Sequence, residues 1–232
     1  MKIFITGGTG FIGKPVVELL KRDNHILMLS RNLKDIGEWE HELIEFVPDA
    51  CIHMAWEGLP DYSEYQSRKN LEYGINLYKV LRKANCNKII TTGSCWECSS
   101  SNNPFVEAKG ILYDYGHFMF PGIFIWARLF YVFGPNQRKD SLIPTILNAL
   151  NNNEVPEIKS PNSAHDFIYV DDVAKAIVDL LKTDKSGIYN IGSGHLTKVK
   201  EILADIYGIK MATGWEPSIS VKEGIRKIID ET

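Results

Sequence analysis

KIFITGGTGFIGKPVVELL, residues 2–20, runs from an apolar segment through a glycine-rich turn into an amphipathic stretch without interruption. The first five residues read as a buried strand. The helical stretch carries Val16, Val17, Leu19 and Leu20. Between them lies Gly8-x-Gly10-x-x-Gly13. Its glycines suit a tight turn, a close backbone approach to a pyrophosphate, and close packing of helix on strand. The start of the helix then offers free N–H groups and the positive end of its dipole to an anion. Strand, turn and helix in this order predict an α/β fold with a doubly wound parallel sheet. A dinucleotide is expected across Gly7, Thr9, Gly10, Phe11, Ile12 and Gly13.

The rest of the first half supports that prediction. Nearly continuous apolar runs at 25–30, 50–55, 88–92, 122–129 and 187–192 suit parallel strands covered on both faces. Leu71, Ile75, Tyr78 and Leu81 fall at helical spacing, predicting a long amphipathic helix over about 62–84. Only 19 residues, Arg31 to Asp49, separate the second strand from the third. They hold one helix (GEWEHELIEF) and leave no room for an additional strand–helix pair. After residue 130 the chain becomes turn-rich, with helices expected at 141–150 and 172–182. Ser220 to Glu223 has capping-box spacing before a final helix. The expected division is a dinucleotide-binding domain over 1–128 and a smaller substrate-binding lobe over 129–232. The strand near 187–192 is expected to return to the first domain.

Composition narrows the function. The 232 residues are 44% hydrophobic and 24% charged, with a net charge of -3, which argues against a broad nucleic-acid surface. No apolar run suits a secretory leader or a membrane span, so a cytoplasmic location without membrane contact is expected. Cysteines at 51, 86, 95 and 98 do not form a disulfide framework in a chain of this length. Cys95 and Cys98 make one C-x-x-C, and no second close pair follows to complete a zinc site. No metal is expected.

The end of the second strand chooses the dinucleotide. An acidic residue there would hold a ribose 2′-hydroxyl, whereas an arginine accepts a 2′-phosphate. The sequence MLSRNLK places Ser30, Arg31 and Lys34 there, with no carboxylate before Asp35. NADP is therefore favoured over NAD.

These residues resemble the extended short-chain dehydrogenase/reductase family, in particular its nucleotide-sugar epimerases, dehydratases and ketoreductases. TGGTGFIG is similar to the family's TGxxGxxG. CIHMAW (51–56) resembles the strand passing beneath the cofactor, which implies that Ala55 lies near it. RKNLEYGINLYKVLRKA (68–84) resembles the helix that carries a structural asparagine, here Asn70, also expected at the cofactor side. ARLFYVFGP (127–135) is similar to RxxNVYGP, HDFIYVDDVAKAI (165–177) to RDFIxVDDVAxAI, and GWEPSISVKEGIRKII (214–229) to the family's closing segment. The last similarity implies a complete, short member. The resemblance further implies a homodimer acting on a nucleoside-diphosphate sugar, with substrate contacts from Ser94, Tyr131, Arg138 and His165.

In this family a serine or threonine after the fourth or fifth strand hydrogen-bonds the substrate oxygen. A Tyr-x-x-x-Lys on the next helix supplies the acid or base and the group that binds the nicotinamide ribose. TTGSCWE (91–97) places Ser94 at the first position, with Thr92 as the alternative, and PFVEAK (104–109) places Lys109 at the lysine. The tyrosine position holds Phe105, which has the shape of tyrosine and no proton to give. Tyr131 and His165 likewise replace the family's asparagine and arginine. Ser94, Phe105 and Lys109 are thus the catalytic candidates. The resemblance implies an NADP-dependent 4-ketoreductase of keto-deoxysugars, with two alternatives: an epimerase, or a catalytically dead dinucleotide-binding sensor or scaffold. If the site is active, another group (Cys98, a nearby tyrosine, or a water held by Ser94 and Lys109) must carry the proton. The phenylalanine is also compatible with a deliberate substitution.

Overall fold

A computed structural model describes residues 1–29, 32–99, 103–152, 156 and 158–204. The chain divides into two units, Met1–Leu129 with Ala174–Asn190, and Phe130–Val173 with Ile191–Thr232. Each is described by itself.

The first unit is built on a sheet ordered β2 (His25–Met28), β1 (Lys2–Thr6), β3 (Ala50–His53), β4 (Ile89–Ser94), β5 (Phe124–Leu129) and β8 (Gly187–Ile191). The first five strands pair in parallel. Ile3, Phe4, Ile5, Cys51, Ile52, Ile89 and Ile90 are buried. Burial on both faces explains why these strands read as unbroken apolar runs. The short link after β2 holds only helix α2 (Ile36–Phe46), so β2 forms one edge of the sheet. From β1 the chain moves to β2 on one side and afterwards to β3 on the other. The crevice between the ends of β1 and β3 is therefore the topological switch point, where doubly wound sheets bind their ligands.

Helix α1 (Gly13–Leu20) turns its buried Val16 and Leu20 inward. Helix α3 (Glu64–Lys83) starts where the Ser63 hydroxyl accepts from the Gln66 N–H at 3.3 Å and ends on Arg82 and Lys83, which suit the negative end of its dipole. Helix α4 (Pro104–Met119) starts with Pro104, and the Asn103 side chain accepts from the Phe105 N–H at 2.9 Å. The two helices meet at Gly74, where a Cβ would lie 2.7 Å from a Leu112 methyl. Trp39, Leu77, Tyr78, Leu81, Phe120, Phe124 and Trp126 fill the core beneath them.

The second unit contains a three-stranded sheet ordered β6 (Tyr131–Phe133), β7 (Ala164–Tyr169) and β9 (Leu196–Lys198), with helices α5 (Leu142–Asn151) and α7 (Val199–Ala204). The Asp166 carboxylate accepts from the Ser193 N–H, the Ser193 hydroxyl and the Gly194 N–H at 2.6, 2.6 and 2.9 Å, closing the turn before β9. Two features differ from expectation. Strands β6 and β9, three residues each, are too short to show an alternating pattern. Helix α6 (Val170–Leu180), expected in the smaller lobe, lies from Ala174 onward in the first unit. Its C-terminal end is anchored by Lys88 Nζ, which donates to the Leu181 and Thr183 carbonyls at 2.7 and 2.6 Å. Ser30, Arg31 and the helix expected after Ser220 lie outside the described residues.

Two glycines provide a direct check. A Cβ on Gly13 would lie 2.0 Å from the Gly7 carbonyl oxygen, whereas one on Gly37 would meet nothing within 4 Å. Gly13→Ala is expected to lower the urea midpoint by the equivalent of at least ~2 kcal/mol, as overpacking does in a tight interior. Gly37→Ala, on helix α2, is expected to raise it by ~0.5 kcal/mol.

Candidate active site

The turn after β1 is shaped by what it cannot hold. Gly7 has φ +72°, and a Cβ there would lie 2.7 Å from the Ala55 nitrogen. The turn therefore lies against the backbone that leaves β3. Gly10 N–H donates to the Gly7 carbonyl at 3.0 Å, and a Cβ on Gly10 would crowd that oxygen at 3.2 Å. The N-cap of α1 is Ile12, which has no side chain able to cap the first turn. The Lys14 N–H donates to the Gly10 carbonyl at 3.0 Å and Pro15 has no N–H, so the groups suited to a pyrophosphate are the backbone amides of the turn itself, at Phe11, Ile12 and Gly13. Beneath them the Thr6 hydroxyl bonds His53 Nδ1 at 2.7 Å and receives the Ala55 N–H at 3.4 Å.

Ser94 ends β4 two strands away. Its backbone N–H donates to Glu97 Oε1, and its hydroxyl accepts from the Trp96 N–H at 3.2 Å, making a capping box on the 3₁₀ turn Cys95–Cys98. Glu97 is a hub that the sequence did not single out. Its other oxygen accepts from Trp126 Nε1 at 2.8 Å and Arg128 Nε at 3.2 Å. Gly93 makes this possible, since a Cβ there would lie 2.1 Å from Trp126 Nε1 and 2.7 Å from Glu97 Oε1. Cys95 and Cys98 form no disulfide.

Lys109 projects from α4 into the same corner and is only 5% exposed. Its Nζ donates to the Thr92 carbonyl at 2.8 Å and stands 4.0 Å from the Trp56 ring centroid. Loss of hydration drives its pKa down to about 7, and the Glu97 carboxylate opposes that fall. Phe105 is one helical turn earlier, with its ring 5.9 Å from Lys109 Nζ. It is packed edge-on against Trp56 at 5.2 Å, Tyr62 at 5.3 Å and Trp96 at 5.9 Å. Trp56 and Tyr62 were not foreseen. Trp56 directly follows the expected Ala55, and only the fold shows its indole on the lysine.

Asn70 is buried and its side chain holds the loop after β3. It accepts from the Glu57 N–H at 2.7 Å and donates to the Glu57 and Gln66 carbonyls at 3.0 and 2.9 Å. These bonds fix the backbone next to Trp56. In the second unit Tyr131 and His165 form a tilted ring pair at 4.1 Å, and partial burial lowers the His165 pKa. Arg138 is on an exposed loop, 3.7 Å from Asp140.

The sequence pattern of the NAD dependent epimerase/dehydratase family matches residues 3–111 and 120–192. The chain belongs to that family, whose enzymes act on nucleotide sugars with a nicotinamide dinucleotide. It is 26% identical to CDP-abequose synthase of Yersinia pseudotuberculosis, over 90% of this chain and 85% of that protein. It is 24% identical to dTDP-4-dehydro-6-deoxyglucose reductase of Escherichia coli, over 98% and 96%. In fold it is similar to UDP-N-acetylglucosamine 4-epimerase from Methanobrevibacter ruminantium, with a TM-score of 0.82 at 20% identity, covering 100% of this chain and 99% of that one. Among the described residues no helix is long and apolar enough to cross a membrane.

Two buried bases give this corner a pH signature. Burial pushes His53 down to about 3 from 6.5, aided by the Lys109 charge, and Lys109 down to about 7 from 10.5. In both windows the unfolded chain binds more protons than the folded one, so stability rises with pH. It is expected to fall as pH drops from 6.5 toward 3, and to climb between 7 and 10.5. Urea midpoints across this range check both. His53→Asn is expected to flatten the acid slope and Lys109→Met the alkaline one.

Proposed function

We propose that this protein is an NADP(H)-preferring reductase of a nucleotide-activated keto-deoxysugar, of the 4-ketoreductase type. The observation that carries the reading is the convergence of Ser94 and Lys109. The Thr92 carbonyl that receives Lys109 Nζ is two residues from Ser94, on the same strand. The reductase relatives, a CDP-abequose synthase and a dTDP-4-dehydro-6-deoxyglucose reductase, support this reaction type.

When bound, the nicotinamide ring supplies the hydride. The chain's own groups do the rest. The Ser94 oxygen already accepts from Trp96 N–H, so its proton is available to a carbonyl oxygen of the substrate. Lys109 spends one N–H on Thr92 and keeps two for ribose hydroxyls. Trp56 covers the ammonium and keeps water off that side. Ser30 and Arg31 favour the 2′-phosphorylated dinucleotide on sequence grounds. Tyr131, Arg138 and His165 are assigned to the sugar nucleotide on the same grounds. Phe105 favours a second reading, a protein that binds the dinucleotide without turnover, because the position of the usual acid has no proton. The epimerase fold neighbour keeps 4-epimerisation as the third.

Titration by fluorescence or calorimetry is expected to show NADP(H) binding roughly ten- to a hundredfold tighter than NAD(H), the worth of one charge-assisted arginine–phosphate contact. Arg31→Asp is expected to remove most of that preference; equal affinities for the native chain would refute the cofactor assignment. Oxidation of the reduced dinucleotide over a panel of keto-sugar nucleotides tests the reaction. Ser94→Ala is expected to lower kcat/KM about a hundredfold, and Lys109→Ala to weaken both binding and turnover. Stoichiometric binding without oxidation would establish the second reading, and interconversion of 4-epimers without net oxidation the third.

A further inference from the structure

We infer that Tyr62 supplies the proton that Phe105 cannot. This rests on the reductase reading above and names a residue for its missing step. Tyr62 lies in the loop between β3 and α3, far in sequence from the Ser94 turn and from helix α4. Its ring nevertheless touches both sides of the site. It lies 5.3 Å from the Phe105 ring on α4 and 4.9 Å from the ring of Trp96, whose N–H holds the Ser94 hydroxyl.

The backbone around Tyr62 is held. Asp61 N–H donates to the Gly58 carbonyl at 2.8 Å, Asp61 Oδ1 receives the Ser63 N–H at 2.8 Å, and Ser63 caps α3. The side chain is half-buried, and its hydroxyl bonds none of the described residues. A fixed phenol whose O–H has no partner among the described residues, packed on the ring that stands where a phenol is missing, has the attributes of a general acid. Other hydroxyls nearby are worse placed. Tyr113 is eight residues beyond Phe105 on α4, about 12 Å along the axis, and lies on Trp126 and Phe124. Tyr78 is fully buried and committed to the Thr91 hydroxyl at 2.8 Å.

In the proposed step the O–H bond of Tyr62 breaks and its proton forms the O–H bond of the product alcohol. The reduced dinucleotide accounts for the hydride that balances it. The phenolate left behind is reprotonated from solvent at its half-exposed edge.

The test uses the full chain and three variants: Tyr62→Phe, Phe105→Tyr and the double variant. Each is checked for folding by circular dichroism and for dinucleotide affinity by fluorescence titration, then assayed on the keto-sugar panel. Tyr62→Phe is expected to bind the dinucleotide as the native chain does and to lose turnover roughly a hundred- to ten-thousandfold. The double variant is expected to recover much of that loss, because it restores a phenol at the family's position. Native-like turnover in Tyr62→Phe overturns the inference and leaves the reductase reading standing. Loss without recovery in the double variant also overturns it, since Tyr62 would then be a packing residue. Activity in Phe105→Tyr but not in the native chain shows a reductase site with no working acid, and excludes Tyr62. If neither is active while the dinucleotide binds, the reductase reading itself fails, and Tyr62 with it.

Discussion

The nearest approach that shapes this protein is that of Gly13 to the carbonyl of Gly7, where a Cβ would stand 2.0 Å from the oxygen. That gap lets helix α1 begin directly against the end of β1. The helix starts there with no side-chain cap, its Lys14 N–H donating to the Gly10 carbonyl at 3.0 Å and its third residue, Pro15, having no N–H to satisfy. Gly7, at φ +72°, then lets the backbone of Ala55 pass at contact distance. The ends of β1 and β3 are thereby locked side by side at the point where the sheet changes direction. A methyl group at either glycine would push these elements apart and close the cradle.

From this crevice the sheet order brings β4 next to β3, and with it the chemical corner. One buried ammonium, Lys109, stands near one largely buried carboxylate, Glu97, whose side chain is 9% exposed. Glu97 is bound to the Ser94 turn, to Trp126 and to Arg128, so it is satisfied without a direct bond to Lys109. Lys109 therefore keeps part of its desolvation cost, which is why its pKa falls so far. Trp56, Phe105 and Trp126 enclose that ammonium, with ring centroids 4.0, 5.9 and 5.8 Å from Lys109 Nζ.

An aromatic enclosure surrounds the Phe105 position. Phe105, where the family resemblance leads one to expect a tyrosine, is surrounded by two tryptophans and a tyrosine drawn from two separate segments, the loop after β3 and the turn after β4. Replacing tyrosine with phenylalanine removes a donor but little volume, so the packing around it survives the loss.

The sequence by itself determined the parallel sheet, the dinucleotide cradle, and the places of Ser94, Phe105 and Lys109. Two-sided burial writes strands as continuous apolar runs, and the glycine spacing and the i,i+4 step on a helix are local facts. Gly93 and Glu97 carry no such local mark. Their role depends on the β4–β5 register, which sets Gly93 opposite Arg128 and Thr91 opposite Trp126. Trp56 and Tyr62 meet Phe105 only because β3 and β4 are neighbours in the sheet. Asn70, legible as a helical asparagine, acquired its work from the Glu57 backbone it holds. Strands β6 and β9, three residues each, have too few positions to show a period, and exist through pairing with β7. Local pattern fixed what each segment is; tertiary structure decided which distant side chains share an environment, because that depends on strand order and register.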